Sequence, residues 1–260
     1  MAAKRNPLSV AIITLNEEKN LPDCLASVSF ADEIVIVDSG SRDRTLNIAR
    51  DFGCRIFVEN WKGYGHQKNS AVEKCTYDWV LLIDADERIP PETRERIVDV
   101  LKSPTADAFI FQRKNFFYGK WIRHGGWWPD YVLRLFRKDR AKISNRNVHE
   151  SVEVNGVIEK LNVPIIHNPI ENVEEIISKI NFYSSLGAKD LQRAGCSPSI
   201  SKAVAHSLAI FLKTYLVKQG FRDGKEGLII AFSSAVNTFY KYIKLWELVY
   251  YAKRGADEPE

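Results

Sequence analysis

Cysteine is scarce in this chain and is never closely spaced. The 260 residues include only Cys24, Cys54, Cys75 and Cys196, and no C-x-x-C pair occurs. This pattern excludes a disulfide-rich secreted scaffold and a zinc ribbon. It predicts reduced thiols, as expected of a cytoplasmic protein.

An excess of charge of one sign is also lacking. The formal net charge is +4, with 37 basic and 33 acidic residues. That excess is too small to indicate a nucleic-acid-binding protein, and no nucleic-acid partner is expected. A mildly basic protein instead suits an anionic substrate bound through a cation, or an anionic membrane surface.

Long apolar runs are missing as well. The run at 8–15 is interrupted by Asn16-Glu17-Glu18, so it is too short for a signal peptide and predicts a first strand. The uncharged run at 227–240 falls short of the roughly 20 residues that a membrane-spanning helix needs. The sequence therefore predicts a globular protein without a spanning helix.

Strand and helix patterns alternate through the first 105 residues. Apolar runs at 8–14, 33–37, 54–58 and 79–83 predict strands, with helical patterns between them. Asn16 is the predicted N-cap of the first helix, and Gly53 is the predicted C′ residue of the second. This alternation is typical of a Rossmann-like three-layer α/β/α fold with a parallel sheet.

The pattern of predicted elements changes after a helix that begins at Pro90-Pro91. Strands predicted at 108–113, 131–137, 148–154 and 163–167 complete a mixed sheet, and the pattern becomes helical from about residue 172. We therefore predict an α/β domain over residues 1–170 and a C-terminal helical region over 171–260.

Two carboxylates end the fourth predicted strand. Asp84 and Asp86 follow the buried run at 79–83, so they lie at the carboxyl edge of the sheet, where open α/β sheets bind ligands. Alternation along an extended chain directs both side chains the same way. The pair is therefore predicted to converge on a divalent cation that carries a diphosphate.

The loops after the first two strands complete a nucleotide site. Asp38 follows the second strand, as the ribose-binding acid of a dinucleotide enzyme would, but no G-x-G-x-x-G follows the first strand. A diphosphate anchored by a metal at Asp84 and Asp86 replaces that glycine anchor. The combination favours a nucleotide-sugar over a dinucleotide.

Four motifs in register resemble the family 2 glycosyltransferases, which have the GT-A fold. They are Thr14-Leu15-Asn16-Glu17-Glu18, the run from Val37 to Thr45, Gly65-His66-Gln67-Lys68-Asn69 and Asp84-Ala85-Asp86. The resemblance covers residues 8–167. Three later segments, at 125–131, 149–150 and 220–224, resemble a subgroup that glycosylates the core of lipopolysaccharide or lipooligosaccharide.

The resemblance implies a UDP-sugar donor and a Mn²⁺ or Mg²⁺ ion. It implies that Glu17 and Asp38 bind the uracil and ribose side, that Lys68 lies near the nucleotide, and that Asp86 is the first choice as direct metal ligand. The full set of implied donor-site residues is Thr14, Asn16, Glu17, Asp38, Ser39, Gly40, Lys68, Asp84, Ala85 and Asp86. His167 resembles the late histidine that supplies a further metal ligand, and a strand-end histidine without that role is the alternative.

The acceptor side needs a general base and a sugar pocket. Family members usually use the aspartate of a Glu-Asp pair, whereas this chain has His149-Glu150, and we predict that Glu150 is the base. Asp130 is the competitor. Trp127, Trp128 and His149 are the predicted acceptor contacts, because the two indoles stand in a glycine-rich loop and rings stack on sugars.

The C-terminal helices have two interpretations. The helix after 198 is amphipathic, and the last helix, 225–254, places Lys241 and Lys244 among Tyr240, Tyr242, Trp246 and Tyr250. Lysine beside aromatic rings is typical of a helix at a membrane surface. Packing on the catalytic domain or on a second subunit is the alternative.

Together these features and the family resemblance predict an inverting, metal-dependent transfer of a hexose from a UDP-sugar to a lipid-linked saccharide. Glucose is the first candidate for the hexose. The enzyme is expected in the cytoplasm, peripherally on the membrane. A sugar-nucleotide pyrophosphorylase and a non-catalytic membrane or glycan-binding scaffold remain as alternatives.

Overall fold

The computed structural model describes residues 5–144, 151–170 and 172–256, and for 252–256 the backbone alone. His149 and Glu150 lie outside the described residues. The chain divides into two compact units, Met1–Lys114 with Pro129–Asn168, and Asn115–Trp128 with Pro169–Glu260. The segment 115–128, which contains Trp127 and Trp128, thus belongs to the helical unit.

Four parallel strands form one half of the sheet. They are β1 (Leu8–Thr14), β2 (Glu33–Asp38), β3 (Arg55–Val58) and β4 (Trp79–Asp84), in the spatial order β3-β2-β1-β4. The intervening helices are α1 (Leu21–Ser27), α2 (Thr45–Asp51) and α3 (Tyr64–Glu73), and α4 (Pro91–Lys102) follows the sheet's short strand β5 (Glu87–Arg88). The predicted alternation is confirmed.

Antiparallel pairing completes the sheet beyond β4. The strands are β6 (Ala108–Phe117), β7 (Lys120–Trp121), β8 (Tyr131–Arg137), β9 (Ala141–Ile143), β10 (Val152–Val154) and β11 (Ile158–His167). The main order continues β4-β8-β6-β11-β5, while β9 and β10 form a separate pair. The mixed sheet is therefore confirmed, but the strand predicted at 148–154 is not part of it: its described portion, β10, pairs with β9 alone, and 148–150 lie outside the described residues.

Side-chain alternation along the central strands separates the core into two layers. Leu81 and Ile83 of β4 face the apolar cluster that includes α1 and α4 residues, whereas Val80 and Leu82 face the cluster that includes Ala71 of α3. These four β4 side chains are essentially buried. A strand covered on both faces is uniformly apolar until it leaves the core, which explains why the first carboxylate appears at Asp84.

Three long helices make up most of the second unit. They are α5 (Val173–Arg193), α6 (Ile200–Leu212) and α7 (Gly224–Ala256), with a π-helical turn at Lys213–Val217 after α6. The side chains of Asn172 and Ser199 cap α5 and α6 by accepting backbone hydrogen bonds. A small core of Phe117, Ile122, Ile176 and Ile230 joins the 115–128 segment to α5 and α7.

Asn16, the predicted N-cap of the first helix, has a different role. Helix α1 begins at Leu21, with Asn20 at the cap position, so the predicted cap at Asn16 is wrong. Asn16 has a left-handed backbone (φ 57°), and its side-chain oxygen accepts the Arg42 backbone N–H at 2.9 Å. It therefore links the loops after β1 and β2.

The lysines predicted to face a membrane from α7 are used inside the second unit. Lys244 Nζ donates to the backbone oxygen of Asn181 and to Ser185 Oγ, both at 2.7 Å. The Lys241 stem lies against Gly187, where an added Cβ would come within 2.8 Å of Lys241 Cδ. Because both side chains pack on α5, they are poorly placed for lipid headgroups, and that part of the prediction needs correction.

Candidate functional site

Asp38 shapes the loop after β2. Its fully buried carboxylate accepts hydrogen bonds from Thr14 Oγ1 (2.8 Å), the backbone N–H groups of Gly40 (2.9 Å) and Ser41 (2.8 Å), and Ser41 Oγ (2.5 Å). Gly40 has φ +95°, a conformation that favours glycine. Asp38 therefore fixes the conformation of this loop, and its contact with the uracil and ribose side of the donor stays a prediction.

The other predicted donor-site residues of this region lie close by. Gln67 Nε2 donates to Ser39 Oγ at 3.0 Å, which connects α3 to the loop after β2. The Glu17 backbone N–H donates to Thr45 Oγ1 at 2.7 Å, and its half-buried carboxylate accepts a hydrogen bond from Asn20. Thr14, Asn16, Glu17, Asp38, Ser39 and Gly40 are thus assembled at the carboxyl edge of β1 and β2.

Asp84 is neutralised by two cations. Lys68 Nζ of α3 lies 2.9 Å from Asp84 Oδ1, and Arg134 Nη2 of β8 lies 2.6 Å from Asp84 Oδ2. Burial by itself would raise the pKa of the Asp84 carboxyl, but attraction to Lys68 and Arg134 outweighs burial and holds that pKa far below its usual range. Burial likewise opposes the Arg134 charge, while Glu87 and Asp84 raise the Arg134 pKa overall.

Asp86 has different surroundings. It follows the buried Ala85 in the turn between β4 and β5, and its Oδ2 lies 3.3 Å from Nε2 of His167 at the end of β11. The Asn168 backbone N–H donates to the Asp86 carbonyl at 3.0 Å. Asp84 is engaged by Lys68 and Arg134 whereas Asp86 faces a histidine, so the predicted convergence of both acids on one cation stays a prediction.

The Asp86 and His167 pair supplies donor atoms suited to manganese. A carboxylate oxygen together with an imidazole nitrogen suits Mn²⁺, whereas Mg²⁺ prefers a shell of oxygen ligands only. Among residues 5–144, 151–170 and 172–256, no cluster of three or more potential metal-ligating side chains is found. A cation at this pair would therefore need further ligands from a diphosphate or water.

A chain of ion pairs extends from Asp84 across the sheet. The fully buried Glu87 accepts from Arg134 Nη2 at 2.7 Å, and Arg113 Nη1 lies 3.3 Å from the same Glu87 oxygen. Arg113 Nε then lies 2.8 Å from Asp130 Oδ2. Asp130 is thus held by the Arg113 guanidinium. Sequence reasoning missed Arg113, Arg134 and Glu87, although Glu87 adjoins the recognised motif.

Trp127 is a packing residue rather than an exposed platform. Its ring packs on the second unit's small core and meets Phe117 edge to face, with centroids 6.1 Å apart. Trp127 is only partly buried, so its predicted contact with the acceptor sugar stays a prediction. Trp128 instead pairs with Trp121, with centroids 5.2 Å apart, and Arg123 lies over the Trp121 ring at 4.1 Å.

The aromatic loop is fixed by Asp223. This buried carboxylate accepts the His124 backbone N–H at 2.7 Å, and its other oxygen lies 3.0 Å from His124 Nδ1. The Gly125 backbone N–H donates to the Lys218 carbonyl at 2.8 Å. These contacts explain why the glycine-rich segment at 125–131 and the segment at 220–224 occur together in this chain.

The Asp84 ion pairs predict a measurable, pH-dependent contribution to stability. Asp84→Asn removes the anion that the buried Lys68 and Arg134 share, while Arg134 keeps Glu87, so the free energy of unfolding at pH 7 should fall by about 3 kcal/mol. Because the folded-state pKa of Asp84 lies below its unfolded value, its contribution is present above about pH 4 and declines below it. The difference between wild type and variant should narrow by about 1 kcal/mol from pH 4 to pH 3.

Urea unfolding at several pH values measures both quantities. Asp51→Asn, at an exposed carboxylate on α2, is the matched control and should change stability by no more than about 0.5 kcal/mol. Equal stability of the Asp84 and Asp51 variants would contradict the role assigned to the ion pairs.

Comparisons with known proteins agree with this architecture. The family model described as glycosyl transferase family 2 matches residues 9–160. An uncharacterized glycosyltransferase of Rickettsia typhi is 32% identical over 254 residues, covering 93% of this chain and 87% of that protein. The lipopolysaccharide core biosynthesis glycosyltransferase LpsC of Rhizobium meliloti is 32% identical over 254 residues, covering 93% and 92%.

Solved structures with partial similarity include TarS 1-349 of S. aureus in complex with UDP-GlcNAc, at 14% identity and a TM-score of 0.48, covering 93% of this chain and 92% of that chain. The mannosyltransferase PcManGT from Pyrobaculum calidifontis has 14% identity and a TM-score of 0.48, covering 98% and 82%. The family-model match and the two relatives at 32% identity show the family of this chain. The chain belongs to glycosyltransferase family 2 and has the GT-A fold.

Proposed function

We propose that this glycosyltransferase moves a hexose, with glucose as first candidate, from a UDP-sugar to a saccharide of the lipid-linked lipopolysaccharide core. The observation that carries the proposal is the pairing of Asp86 with His167 at the carboxyl edge of β4, beside Asp84 and Lys68. The similarity to LpsC of Rhizobium meliloti supports the acceptor class. Family membership disfavours the pyrophosphorylase alternative.

Metal dependence rests on the chemistry of the two donor atoms. Asp86 and His167 would hold Mn²⁺, which when bound neutralises charge on the diphosphate. Lys68 and Arg134 keep Asp84 anionic and fixed in place, so the sheet edge adjoining Asp86 is rigid. The loop held by Asp38 is expected to cover the nucleoside.

Proton transfer is assigned to the acceptor side. The acceptor hydroxyl gives its proton to a carboxylate as its oxygen attacks C1 of the donor sugar, and the bond from C1 to the diphosphate oxygen breaks, with the electron pair leaving on UDP. In-line attack inverts the anomeric centre. Glu150 is the proposed base, because the competing Asp130 is bound by Arg113 at 2.8 Å.

The proposed place of action is the cytoplasmic face of the membrane, where a lipid-linked acceptor is confined. UDP release that depends on added core saccharide tests the reaction as a whole. A non-catalytic scaffold would bind the saccharide without releasing UDP.

Replacing the metal ligand provides the first functional prediction. Asp86→Ala should weaken UDP binding in manganese by at least about tenfold and abolish its manganese dependence, because an anionic donor is lost. Isothermal titration with UDP, with manganese or with chelator, measures this directly. Asp51→Ala should bind as the wild type does, and wild-type activity that persists undiminished in chelator would refute the metal assignment.

The choice of the general base provides the second functional prediction. Glu150→Gln retains the side-chain shape but cannot accept a proton, so turnover should fall by about two to four orders of magnitude while UDP binding persists. Steady-state UDP release with saturating acceptor measures the effect. If Asp130→Asn produces the large loss and Glu150→Gln does not, Asp130 is the base.

A further inference from the structure

Helix α6 exposes an apolar stripe along its whole length. Ile200, Val204, Leu208 and Leu212 recur every fourth residue and are 51, 54, 57 and 42% exposed. Leu216, one step further in the π-helical turn, is 52% exposed. Residues four apart lie on one helix face, so these side chains form a continuous strip, here called the α6 stripe.

The opposite side of α6 is packed within the second unit. Ala203 is fully buried, Thr214 in the following turn is 8% exposed, and the Tyr242 hydroxyl of α7 lies 2.6 Å from His206 Nδ1. The helix is therefore anchored to α7 on one side. A row of five large aliphatic side chains left in water on the other side marks an interaction surface.

Charge identifies the kind of partner. No Asp or Glu occurs between Asp190 and Asp223, whereas this stretch contains the exposed cations Arg193, Lys202, Lys213, Lys218 and Arg222. A helix with an exposed apolar face, in a stretch whose charged side chains are all cations, matches a surface that is apolar inside and anionic at its rim. Anionic lipid has that arrangement.

A second copy of the chain fits this surface less well. A symmetric dimer would place the same stripe against itself and so bring like-charged lysines together across the interface. Such an interface has no carboxylate within this stretch to compensate.

A membrane-spanning role also fits poorly. Residues 200–217 form the helix segment that is long and apolar enough by composition to span a membrane, and 11% of this segment is buried. At 1.5 Å per residue it would extend only about 27 Å and would carry Lys202 and Lys213 into the hydrocarbon. Its packing against α7 also favours a helix that lies along the surface.

We propose that the α6 stripe docks this enzyme onto an anionic lipid surface, with Lys202 and Lys213 on the polar side of α6 attracted to the anionic headgroups around it. The purpose of docking, reaching a lipid-linked acceptor, rests on the proposed function, but docking itself is independent of transfer. The surface differs from the one that the sequence indicated on α7, where Lys241 and Lys244 pack against α5.

Co-sedimentation with vesicles tests the proposal, using the full chain without donor or acceptor. Wild type should bind vesicles of phosphatidylcholine and phosphatidylglycerol in equal parts, more strongly than phosphatidylcholine alone, and binding should weaken with salt. The Leu208→Gln/Leu212→Gln variant should bind at least about tenfold more weakly. Lys202→Gln/Lys213→Gln should lose the preference for the anionic lipid.

Matched controls exclude general effects of the substitutions. Val58→Gln/Val157→Gln replaces two aliphatic side chains that are 62 and 61% exposed in the first unit, and Lys19→Gln/Lys142→Gln replaces two exposed lysines there. Both controls should bind vesicles as the wild type does. Circular dichroism and UDP binding should be unchanged in all four variants.

Four results would overturn the proposal. They are wild type that ignores anionic vesicles, controls that weaken binding as much as the α6 variants, a wild-type dimer that the leucine variant converts to monomer in ultracentrifugation, and vesicle-bound protein that resists extraction by high salt and carbonate. Vesicle binding without any UDP release would leave docking intact and refute the proposed function alone. UDP release that depends on the core saccharide, without vesicle binding, would leave the proposed function intact and refute docking alone.

Discussion

The contact of Asp84 with the buried side chains of Lys68 and Arg134 is the constraint around which the site is organised. It joins the end of β4 to α3 and to β8, three elements that are distant in sequence. Taking these charges out of water is costly unless each is paired, so the three side chains must be placed together. Glu87 and Arg113 extend the pairing to Asp130. A single network thereby fixes the sheet edge and leaves Asp86 in the adjoining turn to face His167.

The structure therefore gives Asp84 and Asp86 different surroundings, although the sequence motif does not distinguish them. Asp84 stabilises the edge and Asp86 presents a donor atom, because the chain leaves β4 after Asp84 and turns before β5. Asp38 shows the same principle. Its carboxylate accepts hydrogen bonds from its own loop, so this acid fixes the shape of the loop after β2.

The sequence could predict the strands β1 to β4 and the edge at Asp84 because a buried parallel strand is a continuous apolar run that ends where the core ends. It could not predict Arg134 or Arg113, since the antiparallel register of β8 and β6 depends on pairing between distant segments. The lysines of α7 illustrate a further limit. Their neighbours in sequence are aromatic, but their neighbours in space are Gly187 and Ser185 of α5. Trp127 stands among glycines and nevertheless packs on Phe117.

We propose that Asp86 and His167, and not Asp84, hold the catalytic metal. Anomalous diffraction from crystals grown with UDP and manganese tests it most directly. Coordination by Asp86 and His167 should give an anomalous peak bonded to both side chains, with Asp84 still paired to Lys68 and Arg134. A peak bonded to Asp84, with those two cations displaced, would contradict it.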